Sequence, residues 1–182
     1  MKFTKCIVLS VIAGAIAPIV LAPASAADPT SHLKSEIDAA RSESGCQALQ
    51  LDPVLTNVAQ RVAREMNDYV SYNSRGLPIT NEADLLPTGS GGVLRAMREA
   101  GYNTSKAKLL VGYGDHRTGG AGDNEAKAIK GAVLEGRGFE ALPDCTYTKY
   151  GLSALNDDAK GQGWPSTAPR TYAVASVLLA GA

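Results

Sequence analysis

Two histidines (His32, His116) and three cysteines (Cys6, Cys46, Cys145) are the side chains of this 182-residue chain best suited to general-base, nucleophilic or metal chemistry. His116 lies in Gly112-Tyr-Gly-Asp-His-Arg-Thr-Gly119, a polar glycine-rich loop, where an imidazole can act as a general base. Its neighbour Asp115 is poorly placed to orient it, because adjacent side chains diverge. His32 falls near a helix start and reads as a solvated surface residue. Ser90, in Thr88-Gly-Ser-Gly-Gly92, lacks the Gly-x-Ser-x-Gly spacing and the preceding strand of a nucleophile elbow, so it reads as a helix N-cap. The glycine-rich stretch 112–122 has no P-loop lysine, and Asp123 after it would repel a phosphate. So few Cys and His side chains leave no material for a zinc ribbon.

These groups sit in a chain whose first segment reads as a leader. Lys2 and Lys5 precede an apolar run from Ile7 to Leu21, and Ala24-Ser25-Ala26 offers a small-x-small cleavage pattern. Residues 1–26 are therefore expected to be a signal peptide, and 27–182 a single exported domain. The run is short for a membrane span, and Gly14, Pro18 and Pro23 interrupt it, so no transmembrane segment is expected in the mature chain. The whole chain balances 18 basic against 18 acidic residues. Removing the leader takes Lys2 and Lys5 and leaves a net charge of −2. With no basic cluster, the composition does not describe a nucleic-acid binder. Cys6 also leaves, so Cys46 and Cys145 remain, and in an exported protein two cysteines most simply form one disulfide. Two buried free thiols remain the alternative.

A helix is expected from Thr30 or Ser31, with Leu33, Ile37 and Ala40 at helical spacing and Gly45 as its stop. Asp52 and Pro53 open a second helix, whose stripe is Leu55, Val58, Ala59, Val62, Met66 and Tyr69. A long loop over 71–89 leads to a third helix through Val93, Leu94 and Met97. Lys108–Tyr113 reads as a strand and Asp123–Glu135 as a fourth helix. Tyr147–Leu155 and Thr171–Leu179 read as strands, the latter apolar enough to be central and covered on both faces. Helices first and strands later indicate α+β, with helices on a mostly antiparallel sheet. Seven tyrosines are scattered through the chain, and a tyrosine-lined groove for an apolar or glycan ligand is one reading of them.

Two stretches carry a family likeness. Asp38-Ala39-Ala40-Arg41 followed by Leu49-Gln-Leu-Asp-Pro-Val-Leu55 resembles the opening of a CAP domain, the fold of the cysteine-rich secretory, antigen 5 and pathogenesis-related proteins, in its small exported bacterial form. Cys145-Thr-Tyr-Thr-Lys-Tyr-Gly151 resembles the segment entering that family's central strands, and Gly101-Tyr102 resembles a bacterial Ala-Ala-Gly-Tyr piece. The resemblance implies a three-layer α/β/α sandwich. It also implies a cleft in which many members hold a divalent metal between two histidines and two acidic residues. Here the matching segments are Val70–Ser74, Glu135–Phe139 and Leu109–Gly112, which carry no histidine and little acid. No metal and no cofactor are therefore expected. The resulting expectation is a secreted or wall-associated, non-enzymatic binder of a lipid, a wall or glycan component, or a protein partner. Tyr72, His116 and Glu135 are its candidate pocket residues. The competing expectation is an extracellular hydrolase with a cleft around His116.

Overall fold

Ten residues from Tyr172 to Gly181 form the strand around which the chain is arranged, and all but the last are buried. In the computed structural model, which describes residues 28–71, 76–81, 92–119, 121–135, 138–157 and 171–181, the elements run as follows. They are α1 (Pro29–Glu43), β1 (Gln50–Leu51), α2 (Pro53–Val70), α3 (Val93–Glu99), β2 (Lys106–Asp115), α4 (Asn124–Val133), α5 (Gly138–Ala141), β3 (Tyr147–Asp157) and β4 (Tyr172–Gly181). The expected leader, 1–26, Tyr72 and Ser90 lie outside the described residues. The sheet order is β1-β3-β4-β2. β4 is antiparallel to both neighbours, while the two-residue β1 runs parallel to β3. The class is α+β with a mixed, mostly antiparallel sheet.

The side-chain period of a strand sends alternate residues of β4 to opposite faces. Ala173, Ala175, Val177 and Leu179 join Leu33 and Ile37 of α1 and Ala128, Ile129, Ala132 and Val133 of α4 in one apolar cluster. Leu178 and Ala180 join Leu55, Val58, Ala59 and Val62 of α2 and Val93, Ala96 and Met97 of α3 in another. Ser176, on this second face, is fully buried and donates to the Ala59 carbonyl at 2.7 Å. A continuous apolar run is what two-sided cover requires.

α2 forms as expected: Pro53 opens it, and Asp52 accepts from the Val54 and Leu55 N–H groups at 2.9 and 3.2 Å. α1 is capped by Asp28 rather than by Thr30 or Ser31. α3 starts after Gly92 with no side-chain cap. β2, β3 and β4 each extend two residues past their expected C-terminal ends. β1 and α5 had no local signal at all.

α4 lies unusually close to β2. A methyl group on Gly112 would come within 1.8 Å of the Ala128 carbonyl oxygen, and one on Gly114 within 2.1 Å of the Asn124 oxygen. Only hydrogen fits there, so these glycines fix the depth of α4 over the sheet. Gly112→Ala is expected to destabilise by about 3 kcal/mol, since backbone rather than a movable side chain must yield, and thermal unfolding of the variant checks this.

Cys46 and Cys145 are bridged, with Cα atoms 5.2 Å apart. Beside the bridge, the guanidinium of Arg41 is buried and donates to four backbone carbonyls: Gln47 at 2.9 Å, Leu142 at 2.6 Å, Asp144 at 3.0 Å and Tyr147 at 2.6 Å. Charge-assisted bonds of this kind each contribute about 1.5–3 kcal/mol, and orphaned buried carbonyls add a penalty. Arg41→Ala should therefore cost at least ~3 kcal/mol in urea unfolding. Arg41→Lys should recover little of it, because an ammonium cannot reproduce the planar fork.

Candidate functional site

A cavity of about 710 Å³ opens at the end of the sheet where β3 finishes, β4 begins and α4 starts. Its walls are Asp123, Asn124, Glu125, Asn156, Asp157, Thr171 and Tyr172. Local chemistry sets each in place. Asp123 is the N-cap of α4 and accepts from the Ala126 N–H at 2.9 Å. Gly122 before it has a φ of 97°, a conformation suited to glycine. Asn124 donates to the Thr171 carbonyl and hydroxyl, both at 3.1 Å, tying the start of α4 to the start of β4. Glu125 accepts from the Asn156 amide at 3.1 Å and faces His32 Nδ1 at 3.1 Å, joining α4 to β3 and α1.

Below the cavity the sheet end is rigid. Asp115, Tyr172 and Asp157 occupy one register across β2, β4 and β3. Tyr172 is buried and its hydroxyl donates to the Asn67 amide oxygen at 2.6 Å. Burial, with the Asp157 carboxylate beside it, pushes the Tyr172 phenol well above its usual range. The Tyr113 and Tyr172 rings lie 5.7 Å apart. The phenol of Tyr113 is pushed up to about 12, first by burial and then by its bond to Asp115. Asp115 is almost wholly buried. It accepts from the Tyr113 hydroxyl at 2.8 Å, from Arg117 N–H and Nε at 2.7 and 2.8 Å, and from the Thr118 N–H at 2.8 Å. Burial alone would raise its pKa, but these donors outweigh it and hold the carboxyl well below the carboxylate range.

Of the candidate pocket residues, His116 and Glu135 are not brought together, and Tyr72 lies outside the described residues. His116 is exposed in the turn after β2, and the Asp115 carboxylate is committed to Tyr113, Arg117 and Thr118. Glu135 is exposed beyond the other end of α4, about 15 Å away along the helix axis. There it lines a separate cavity of about 190 Å³ with Asn81 and Lys108. His32 is more engaged than its sequence position suggested: half-exposed, it bridges Glu125 at 3.1 Å and Glu36 at 3.8 Å. The His32–Glu125 pair spans 93 residues, and nothing local announces it.

Among the described residues, no group of three His, Cys, Asp or Glu side chains is arranged to hold a metal ion. The nearest approach, His32 with Glu36 and Glu125, does not fit one. The imidazole addresses the two carboxylates with different nitrogens, so it separates them instead of converging with them on a shared point. No described helix is long and apolar enough to cross a membrane.

No protein-family model matches the chain, and no curated protein matches it by sequence. Solved structures do match it. An extracellular protein containing an SCP domain, from Bacillus anthracis, superimposes with a TM-score of 0.52 at 13% identity over 85% of this chain. This chain spans 40% of that protein's length. An outer surface protein from Borrelia burgdorferi superimposes with a TM-score of 0.54 at 16% identity, covering 83% of this chain and 90% of that one. The fold is CAP-like.

Because the Asp115 carboxyl is held below its unfolded range, the stability it lends is complete above pH ~4 and is withdrawn as pH falls through the folded-state value. Asp115→Asn should lower the melting temperature at pH 7. The gap between variant and wild type should narrow from pH 5 to pH 2, as read by thermal denaturation across that range.

Proposed function

We propose that the chain is an exported, CAP-like binding domain and that the cavity at the start of α4 is its ligand site. In this reading residues 1–26 are a cleaved leader, and 27–182 form one three-layer α/β/α sandwich acting outside the cell or at its surface. The extracellular and outer-surface character of the two structural neighbours supports that location. The observation that carries the reading is the state of the cavity's side chains. Asn124, Glu125, Asn156 and Tyr172 each hold a structural hydrogen bond between separate elements. The Thr171 hydroxyl accepts from Asn124 at 3.1 Å. Walls whose polar groups are tied across separate elements in this way suit holding and orienting a ligand. Their polarity favours a wall or glycan component over the hydrocarbon of a lipid.

The hydrolase reading requires His116 to work near bound substrate. Esterase, protease and wall-hydrolase assays on the protein and on His116→Ala decide between the two. Binding without turnover, with His116→Ala unchanged, is the expected result. Turnover abolished by His116→Ala would replace the binding reading with the enzymatic one.

A further inference from the structure

The Cys46–Cys145 bridge lies at the surface, in a junction that other bonds already hold. Cys145 is exposed and Cys46 half-buried. The chain flanking each cysteine is fixed independently of the sulfurs. On one side the Ser44 hydroxyl donates to the Arg41 carbonyl at 2.7 Å, Arg41 Nε donates to the Gln47 carbonyl at 2.9 Å, and β1 pairs with β3. On the other, Arg41 donates to the Leu142 and Asp144 carbonyls, and the Asp144 carboxylate accepts from the Thr146 N–H at 3.0 Å and from Lys106 Nζ at 2.7 Å. Cleaving the S–S bond removes none of these. Cys46 Sγ also lies 3.2 Å from the Pro143 carbonyl oxygen. A bridged sulfur has no hydrogen to donate there, whereas a thiol does, so the opened form gains a contact that the closed form lacks.

We propose that Cys145 is a thiol-exchange site, and that the bridge is a reversible redox couple of the folded protein, opened by small thiols. The thiolate of the small thiol attacks Cys145 Sγ, the sulfur of the more exposed cysteine. A new S–S bond forms to Cys145 and the Cys46–Cys145 bond breaks. Cys46 leaves as a thiolate, takes a proton from water and donates it in a hydrogen bond to Pro143. A second thiolate then attacks the small-thiol sulfur of the mixed disulfide and releases Cys145, which is protonated in turn. Two molecules of thiol are thereby oxidised to one disulfide as the protein bridge is reduced. Access separates disulfides that exchange in this way from buried ones, which wait for the fold to open. Oxidation reverses the sequence, because the pinned flanks keep the two Cα atoms near their bridged separation of 5.2 Å, inside the range a disulfide needs.

The test treats the oxidised protein with excess glutathione at about pH 8, where thiolate is abundant, without denaturant. Acid-quenched samples are alkylated and peptide-mapped by mass spectrometry, while backbone amide spectra report the fold. Glutathione should appear on Cys145 as the transient species, at a rate proportional to its concentration and unchanged by urea at about 1 M. The amide spectrum should change only around residues 46 and 145, and glutathione disulfide should restore the bridge. A bridge opened only through unfolding would instead react roughly tenfold faster per molar urea, because urea favours the state with more exposed surface. That acceleration, glutathione found on Cys46 in place of Cys145, or loss of the native amide spectrum on reduction would overturn the proposal.

Discussion

A single guanidinium joins the parts of this fold that the chain order keeps apart. Arg41 ends the buried face of α1 and donates to carbonyls at 47, 142, 144 and 147. It thereby holds the exit of α1 against the approach to β3. Burial lowers its pKa, as removing a cation from water must, with Asp144 acting the other way, but an arginine keeps its proton in any protein interior. The Cys46–Cys145 bridge closes the same junction covalently, and in the chain-entropy picture a loop of about 100 residues is worth up to ~4.7 kcal/mol. The two devices differ in kind. The disulfide restricts the unfolded chain, whereas Arg41 satisfies backbone acceptors that would otherwise be stranded at the turn into the sheet.

From that junction, position is transmitted by backbone contact. β3 enters beside β4, and Gly151 lets the first turn of α2 rest on β3, with Leu55 backbone within 2.1 Å of where a side chain would begin. On the opposite face Gly112 and Gly114 do the same for α4. The cavity walls at 123–125 are thus placed by a helix that cannot slide outward without losing its apolar cluster, or inward past the glycines. A site built on elements packed this tightly keeps its geometry before any ligand arrives.

Much of this was legible in the sequence where the cause is local. Asp52-Pro53 gave a cap and a first helical residue, the α2 stripe gave a buried face, and the unbroken apolar run of β4 gave a central strand. The division of residues 173–180 between two covered faces followed from strand geometry. The illegible parts depend on partners distant in the chain. β1 is two residues long and exists because β3 offers it a parallel edge. Arg41 appears in the sequence as one letter of a motif, and its four acceptors lie up to 106 positions away. His32, read as a solvated surface group, acquires Glu125 only when α4 is laid beside α1. For the same reason His116 and Glu135 looked like a possible pair although α4 holds them apart.

The cavity is polar because of where it lies in the fold. At a sheet end, three strands and a helix terminus expose backbone carbonyls and N–H groups that need partners. Asn124 and Asp123 supply them for the start of β4 and the start of α4. Each has a second polar atom that the fold does not use. An apolar residue at either place would leave a backbone group unsatisfied, so polarity here is imposed first by folding. The polar walls are in that sense a by-product of how the sheet terminates.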